Sequence, residues 1–301
     1  MNKSIKQIIK LFIPPFFLRI KGFLKKSKMK DFYSDIGTIK KCADKLLILG
    51  NGPSLKSSLQ KYMSSFKRGD YDILVVNNIV YDDCYGKIKP RFHMYFDPNL
   101  FAPLETLSEF LKIDAEKFVS TFLKKINWDV YFIVPISAKD SWVIDRIKEN
   151  TYIHPIFINN YNFATFNSKE EKFKLWDKNL IGVPAQTVLN TCLYFGIAKR
   201  YKEIYLFGAD TNWIEQIRVD QNTNQVYTID EHFYGKVTRP LFNDVEGKIP
   251  SRLHEELYSC ARASESYWDL KAYADYAGVK VYNASEYSLI DAFERKKLSS
   301  D

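Results

Sequence analysis

Short apolar runs that alternate with helical patterns make up most of this sequence of 301 residues. Continuous apolar runs predict buried strands, whereas apolar positions three and four apart predict helices. The predicted strands are Leu46–Gly50, Asp72–Asn78, Arg91–Phe96, Asp129–Val134, Tyr152–Ile158, Glu203–Gly208 and Val279–Tyr282. The predicted helices lie near Ser54–Phe66, Pro103–Ile126, Lys139–Glu149, Ala185–Lys199 and Glu255–Ala277. Strands that alternate with helices predict an α/β fold with a doubly wound, mostly parallel, Rossmann-like sheet.

One long stretch, Thr211–Pro250, interrupts this alternation. It is rich in Asn, Asp, Gln, Gly and Tyr and shows little apolar periodicity. Connections of this length without structure of their own are uncommon in compact domains, and they often act as lids or substrate-binding segments. We therefore expect a lid over about residues 211–250.

The sequence LLILGNGPSL, residues 46–55, predicts the first strand–turn–helix unit of the sheet, with Ser54 as the helix N-cap. Free backbone N–H groups and the positive helix end would make this turn a phosphate-binding site. An ordinary tight turn between a strand and a helix explains the same residues. The turn lacks the third glycine of the dinucleotide fingerprint and the Gly-Lys-Ser/Thr of a P-loop. The next strand ends in Asn77 and Asn78 instead of the acidic residue that NAD-type sites place there.

Polar residues follow several of the predicted strands, at the carboxyl edge where open α/β sheets bind ligands. Side-chain amides at this edge can bind a pyrimidine or sugar hydroxyls without adding charge beside a phosphate, although each could also be a turn residue. Asp210 could ligate a metal, bond a hydroxyl or cap the following turn. The predicted nucleotide-binding residues are Gly50, Asn51, Gly52, Pro53, Ser54, Asn77, Asn78, Asp97, Asn99, Gly208 and Asp210.

Two of the four histidines are candidates for a general base, the role that histidine fills most often near neutral pH. His93 lies inside an apolar strand and His154 precedes Pro155, so both are predicted to be structural. His232 lies in DEHFYG within the long polar stretch, and His254 lies in SRLHEE at the start of the last helix. We favour His232, because a loop gives better access to an acceptor.

The positive charge of the chain is concentrated at its start. Residues 1–30 contain nine Lys or Arg and no acidic residue, whereas the rest holds 35 basic and 36 acidic residues. A nucleic-acid role is therefore not indicated. Residues 1–36 form a basic amphipathic segment, too short and too charged to span a bilayer, which predicts association with an anionic membrane surface. A helix that packs on the chain's own domain, residues 37–295, is the alternative.

The four cysteines, Cys42, Cys84, Cys192 and Cys260, are widely separated and form no CxxC pair. This spacing suggests neither a zinc site nor a disulfide framework, and it suits reduced cysteines in a cytoplasmic protein. Together with the basic first segment, it predicts a peripheral location on the inner face of the cell membrane.

Four motifs carry a family resemblance over about residues 45–290: GNGPSL, VVNNIVYDD, YFDPNLF and GVPAQTVLNTCLYFGIAKRYKEIYLFGAD. They resemble the bacterial sialyltransferases of glycosyltransferase family 42. The chain is also similar to the related DUF115 group, which includes flagellin-modifying glycosyltransferases and pterin pyrophosphokinase-like proteins. The resemblance implies a Rossmann-like variant of the GT-A fold and a metal-independent, inverting transfer from a CMP-activated nonulosonic acid.

The resemblance also assigns roles to the residues that match its motifs. It implies that Asn51, Gly52 and Ser54 hold the CMP phosphate and ribose. It places Asn77 and Asp97 against the donor. The family has asparagine where this chain has Asp97. A carboxylate at this position disfavours contact with the carboxylate of an anionic donor sugar.

The tyrosine that follows the family's GID element aligns with Trp213, which lacks a phenolic hydroxyl. Stabilisation of the leaving phosphate would then fall to Tyr227, Tyr234 or Arg239. The family's histidine base lies in the corresponding lid region, which favours His232.

The sequence therefore predicts a membrane-associated glycosyltransferase of lipopolysaccharide or capsule synthesis. Its expected partners are a CMP-sugar donor, a glycan or lipid-linked glycan acceptor and an anionic membrane surface, with homo-oligomerisation left open. No cofactor or metal is expected. Two alternatives remain: a Mg²⁺-dependent pyrophosphokinase with Asp210 as metal ligand, and a non-catalytic membrane-bound scaffold.

Overall fold

The computed structural model describes residues 36–160, 168–183, 186–232, 235–243 and 248–298. The predicted membrane segment, residues 1–36, lies outside this description except for Ile36. None of the helices in the described ranges combines the length and the apolarity needed to cross a membrane.

The described part of the chain contains two β-sheets. In chain order the strands are β1 (Lys45–Leu49), β2 (Asp72–Val76), β3 (Phe92–Met94), β4 (Val130–Pro135), β5 (Ile153–Ile158), β6 (Glu203–Phe207), β7 (Ile217–Val219), β8 (Val226–His232), β9 (Gly235–Pro240), β10 (Lys280–Asn283) and β11 (Glu294–Arg295). Eight strands form a central sheet in the order β11-β10-β6-β1-β2-β3-β4-β5, and all these neighbours pair in parallel. The other three strands form an antiparallel sheet in the order β7-β8-β9.

Helices connect the parallel strands. Within the described residues they are α1 (Leu55–Lys67), α2 (Cys84–Ile88), α3 (Pro98–Phe101), α4 (Glu109–Lys125), α5 (Trp142–Ile147), α6 (Lys169–Asp177), α7 (Val188–Ala198), α8 (Trp213–Gln216) and α9 (Leu253–Ala277). The fold is thus α/β with a mostly parallel central sheet, consistent with a Rossmann-like fold. Its strand order changes direction at β1, which lies between β2 and β6. Such a switch point is the usual place for a ligand in an open α/β sheet.

The central sheet is buried on both faces. Alternate side chains of β1 point to opposite layers, so that Leu46 and Ile48 join the apolar cluster of α7 and α9. Leu47 and Leu49 join the cluster that contains residues of α1, α4 and α5. Burial on both faces explains why these strands read as continuous apolar runs instead of alternating ones.

The seven predicted strands are confirmed, each within two residues at either end. The helix predicted over Pro103–Ile126 begins only at Glu109, because Leu104–Thr106 forms a 3₁₀ turn and the Ser108 hydroxyl accepts a hydrogen bond from the Leu111 amide. The helix predicted over Lys139–Glu149 is shorter, Trp142–Ile147. Sequence reasoning missed α6 altogether.

The expectation that residues 211–250 lack regular structure is wrong. This stretch contains α8 and the antiparallel sheet of β7, β8 and β9. The apolar pattern is weak there because only a few side chains of the small sheet are buried. Val226 and Thr228 are buried, whereas Val237 on the neighbouring strand is 60% exposed. A small exposed sheet of this kind needs few apolar residues, and the sequence carries few.

Candidate functional site

Two loops meet at the switch point of the central sheet, the turn after β1 and the loop after β6. The Gly50 amide donates a hydrogen bond to the Phe207 carbonyl oxygen (2.8 Å), and the Gly52 amide donates to the Gly208 carbonyl oxygen (2.9 Å). A Cβ atom on Gly52 would lie 2.5 Å from Asp210 Oδ1, and one on Gly50 would collide with the Gly208 carbonyl oxygen. The glycines therefore allow close contact between the two loops.

The pair of Ser54 and Asp210 closes this junction. Asp210 Oδ2 accepts a hydrogen bond from the Ser54 amide (3.0 Å), and Asp210 Oδ1 accepts one from the Ser54 hydroxyl. Asp210 is 3% exposed, and burial raises the pKa of its carboxyl group although the two hydrogen bonds from Ser54 oppose this shift. The hydroxyl that Asp210 binds in the structure belongs to the protein itself, at Ser54; metal ligation by Asp210 stays a prediction.

Two expectations for this turn are corrected. Ser54 does precede α1, but its side chain makes no capping hydrogen bond, because its backbone is already helical (φ −66°, ψ −11°) where a capping residue is extended; its hydroxyl donates to Asp210. The turn also does not offer a set of free amides, since those of Gly50, Gly52 and Ser54 all donate within the protein. A phosphate on the inner side of this turn would also face the Asp210 carboxylate. Asn51 is partly exposed and has no hydrogen-bond partner among the described residues, so its side chain remains available to a ligand.

The end of β2 is supported by a buried histidine. Asn77 has a left-handed backbone (φ 48°), and its carbonyl oxygen lies 2.8 Å from His93 Nε2. His93 Nδ1 lies 3.0 Å from the Tyr85 hydroxyl. His93 is fully buried against Phe118 and Phe122, and burial lowers its pKa to about 3. The neutral ring therefore donates from Nε2 to Asn77 and accepts from Tyr85, and the prediction that His93 is structural is confirmed.

The amide side chains beyond β2 have different environments. Asn77 Oδ1 is buried and has no hydrogen-bond partner among the described residues. Asn78 Oδ1 accepts a long hydrogen bond of 3.4 Å from the Tyr95 hydroxyl. After β3, Asp97 Oδ1 accepts a hydrogen bond from the Asn99 amide (2.9 Å), so Asp97 caps α3. Asp97 is exposed, and its second carboxylate oxygen can face a ligand.

A cavity of about 420 Å³, which we call the edge cavity, lies at the carboxyl ends of β3, β4 and β5. Among the described residues, no charged side chain lines it. Its polar groups are amides and hydroxyls, and the Asn160 side chain donates a hydrogen bond to the Ser137 hydroxyl (3.0 Å). Its lining residues are Phe96, Pro98, Phe101, Ala102, Pro135, Ser137, Ala138, Asn159, Asn160, Val183 and Thr191.

The first turn of α7 connects the edge cavity to the junction at β1. Leu189 lies against Gly50, within 3.4 Å of the position of a Cβ atom there, and the buried Thr191 lines the cavity. The hydroxyl of Thr187 accepts from the Asn190 amide (3.4 Å), and the Asn190 side chain accepts from the Thr187 amide (3.2 Å). The positive end of a helix therefore lies between the two features.

Three polar atoms at this edge are buried without a hydrogen-bond partner in the described part of the chain: Asn77 Oδ1, Asn190 Nδ2 and Thr191 Oγ1. A buried polar atom that lacks a partner costs roughly 1–3 kcal/mol. Such atoms are expected where a ligand completes the hydrogen bonding after small side-chain rotations. All three are amide or hydroxyl groups, so they suit an uncharged, polar ligand surface.

Sequence reasoning missed the polar lining of the edge cavity. Asn159 and Asn160 directly follow the predicted strand Tyr152–Ile158, much as Asn77 and Asn78 stand at the end of theirs, so the signal was present. Thr191 gave no signal, because it lies inside an apolar helical pattern.

The remaining predicted residues lie on the small sheet and on α9. Tyr227 is half-buried on β8, whereas Arg239 is exposed on β9 and lines a second cavity of about 250 Å³ together with Trp213. His254 is exposed in the first turn of α9 and lines neither cavity. His232 is the last residue of β8. The side chain of His232 and the whole of Tyr234 lie outside the described residues.

The cysteines are unpaired, and burial raises the pKa of Cys84 and Cys192 well above that of an exposed thiol. In the described ranges, no group of three or more His, Cys, Asp or Glu side chains is placed to hold a metal ion.

Comparison with protein-family models and with curated proteins gives no match for this chain. The class of the protein therefore rests on its fold and its site. It is an open α/β protein, consistent with a Rossmann-like fold, with an uncharged cavity at the carboxyl edge of its central sheet.

Proposed function

We propose that this protein is a sialyltransferase-like glycosyltransferase that uses a CMP-activated sugar. The observation that supports this proposal is the uncharged polar cavity at the carboxyl edge of the sheet. Its volume of about 420 Å³ is in the range of small-molecule sites. Amides and hydroxyls can bind ribose, pyrimidine and sugar hydroxyls, while Phe96 and Phe101 can pack against a ring. The motifs GNGPSL and YKEIYLFGAD support the same class of enzyme through their resemblance to family 42.

The Ser54–Asp210 pair constrains where the nucleotide phosphate binds. Because Asp210 occupies the inner side of the first turn, we place the phosphate on its outer side, near Asn51 and the positive end of α7. The donor then extends past Asn77 and Asp97 into the edge cavity.

In the proposed reaction His232 is the general base. It takes the proton from an acceptor hydroxyl, the acceptor oxygen bonds to the anomeric carbon from the face opposite the nucleotide, and the bond from that carbon to the CMP phosphate oxygen breaks. Tyr227, Tyr234 or Arg239 stabilises the departing phosphate. Both roles require the sheet of β7, β8 and β9 to act as a lid over a GT-A-like site.

The acceptor in this proposal is a glycan or lipid-linked glycan of the cell surface, such as lipopolysaccharide or capsule. The basic residues 1–36 would hold the enzyme on the inner face of the cell membrane, where lipid-linked acceptors are presented. The competing pyrophosphokinase function needs Asp210 as a metal ligand, whereas in the structure both oxygens of this carboxylate accept hydrogen bonds from Ser54.

Thermal stabilisation by CMP, CDP, UMP, UDP, GDP and ADP, each with and without Mg²⁺, tests the proposal. A ligand that binds only the folded state raises the melting temperature. We expect a metal-independent shift with CMP. The variant Asn160→Asp adds a carboxylate to the edge cavity and should remove this shift, whereas Asn222→Asp in an exposed turn should keep it.

Other outcomes would exclude parts of the proposal. A Mg²⁺-dependent shift with UDP, GDP or ADP would overturn the CMP-sugar donor and favour the pyrophosphokinase. The absence of any shift would overturn nucleotide binding and favour the scaffold.

A further inference from the structure

A groove of about 420 Å³ adjoins the edge cavity and shares Phe101 and Ser137 with it. The groove runs between the segment after α3 and the start of α5, where its other main lining residues are Glu105, Asp140 and Trp142. We infer that this groove is the acceptor-sugar subsite and binds an uncharged sugar ring. The inference rests on the proposed glycosyltransferase function and names the class of its second substrate.

Aromatic side chains form one wall of the groove. Trp142 is half-buried and packs against the apolar cluster of α1, α4 and α5, so its indole is held in place. Phe101 is also partly buried and packs against the same cluster. Ring faces that are fixed in this way offer a flat apolar surface to the C–H face of a pyranose.

Two carboxylates supply the polar side of the groove. Glu105 and Asp140 are exposed, and neither forms an ion pair with another described residue. In the described part of the chain, no Lys or Arg side chain lines the groove. Sugar hydroxyls can donate charge-assisted hydrogen bonds to these carboxylates, whereas a phosphate or an acidic sugar would be repelled.

Two buried polar atoms in the groove wall lack a hydrogen-bond partner within the described part of the chain. Trp142 Nε1 and the hydroxyl of Ser141 are buried and have no hydrogen-bond partner among the described residues. Rotation about a single bond redirects a serine hydroxyl, so Ser141 can bind a ligand in the groove.

The two adjoining sites differ in charge. The edge cavity is uncharged and takes the donor in the proposed function, whereas the groove carries two carboxylates and favours hydroxyl donors. The shared residues Phe101 and Ser137 bring an acceptor in the groove next to a donor in the cavity. This adjacency is what transfer between two bound sugars requires.

The test is ligand-observed saturation-transfer NMR on the full chain. The probes are the methyl glycosides of galactose, glucose and N-acetylglucosamine, with methyl glucuronide as the anionic counterpart. We expect at least one neutral glycoside to bind and the glucuronide not to bind. Asp140→Asn should weaken binding of the neutral glycoside about tenfold, because a charge-assisted hydrogen bond is lost. The control Asp114→Asn, an exposed residue of α4 outside the groove, should have no effect.

CMP-induced melting shifts on the same samples separate this inference from the proposed function. If CMP binds but no neutral glycoside does, or if Asp140→Asn leaves glycoside binding unchanged, the acceptor subsite is overturned and the donor site stands. If the glycoside binds through Asp140 but CMP does not, the sugar-binding groove stands and the CMP-sugar donor is overturned. Preferred binding of the glucuronide would overturn the assignment of an uncharged sugar.

Discussion

The carboxylate of Asp210 binds both the amide and the hydroxyl of Ser54, a residue 156 positions earlier in the chain. This pair fastens the loop after β6 to the turn after β1, at the point where the strand order of the central sheet changes direction. It places a buried negative charge where the sequence predicts a phosphate. The pair therefore orders the site and excludes anions from one side of the turn.

The first prediction concerns the hydroxyl of Ser54. Ser54→Ala leaves one oxygen of a buried carboxylate without its donor and should lower the free energy of unfolding by about 1–3 kcal/mol, measured by urea denaturation at pH 7. Ser64→Ala, exposed on the same helix, should change it by less than about 0.5 kcal/mol.

This loss should depend on pH. The hydrogen bonds from Ser54 favour the charged form of Asp210, so the loss is full above the raised pKa of Asp210 and fades as pH falls through it. A loss of equal size at pH 3 and pH 7 would contradict the role assigned to the ionised carboxylate.

The second prediction concerns Gly52. Gly52→Ala would bring a Cβ atom to 2.5 Å from Asp210 Oδ1 and 2.8 Å from the Gly208 carbonyl oxygen. The two loops must then separate, which should cost about 1–3 kcal/mol of stability and reduce the CMP-induced melting shift. Gly86→Ala in α2 is the matched control, because nothing lies within 4 Å of its added Cβ. The control should be neutral or stabilising by up to about 1 kcal/mol; equal effects of both changes would contradict the close contact.

The third prediction is an acid sensitivity that arises from His93. Burial lowers the pKa of His93 from 6.5 to about 3, so below pH 6.5 the unfolded chain binds a proton that the folded chain does not. The free energy of unfolding should therefore fall on acidification, by about 3 kcal/mol between pH 7 and pH 4 from this residue. Urea titrations at several pH values measure the slope. His93→Gln should lose this contribution, whereas His154→Gln, at a partly exposed position on β5, should retain it.

The fourth prediction separates the two candidate bases. If His232 takes the acceptor proton, His232→Ala should lower kcat for sugar transfer about 10²- to 10⁴-fold while the CMP-induced melting shift persists. His254→Ala, which alters an exposed residue outside both cavities, should change kcat by less than about threefold. The reverse pattern would assign the base to His254.

The fifth prediction concerns the first 30 residues, which hold nine basic and no acidic side chains. Their deletion should abolish co-sedimentation with vesicles that contain anionic lipids, since both the charge and the apolar residues of the segment are lost. The full chain should bind such vesicles more weakly as ionic strength rises. Unchanged binding after the deletion would refute the role of this segment.

The strands were predictable because burial on both faces leaves a continuous apolar signature. All four residues from Leu46 to Leu49 are fully buried, and the same pattern recurs at β2 and β6. The missed helix α6 also carried a signal, since Ser168 accepts a hydrogen bond from the Glu171 amide and two glutamates stand in the first turn. The strands of the small sheet carried almost no apolar signal in the sequence, because most of their described side chains are exposed or half-buried.

The candidate site was only partly predictable. The polar residues after β1, β2, β3 and β6 do lie at the carboxyl edge, because parallel pairing brings those strand ends together. Their partners could not be inferred locally: the bond of Asp210 to Ser54 joins distant positions, and Thr191 reaches the edge cavity only through the packing of α7. Polar residues near a sheet edge indicate a site, but long-range packing decides which of them remain available to a ligand.

The position of β1 has a consequence for synthesis of the chain. Its parallel partner β2 follows soon in the sequence, but β6, which covers its other edge, ends 49 residues after β5. At about 5–20 residues per second, the ribosome needs roughly 2–10 s to deliver those residues. During this interval β1 is an uncovered strand edge in a nascent half-sheet, and such edges recruit other chains. The speed of translation between β5 and β6 therefore sets how long the finished half-sheet of β1–β5 exposes this edge before β6 covers it.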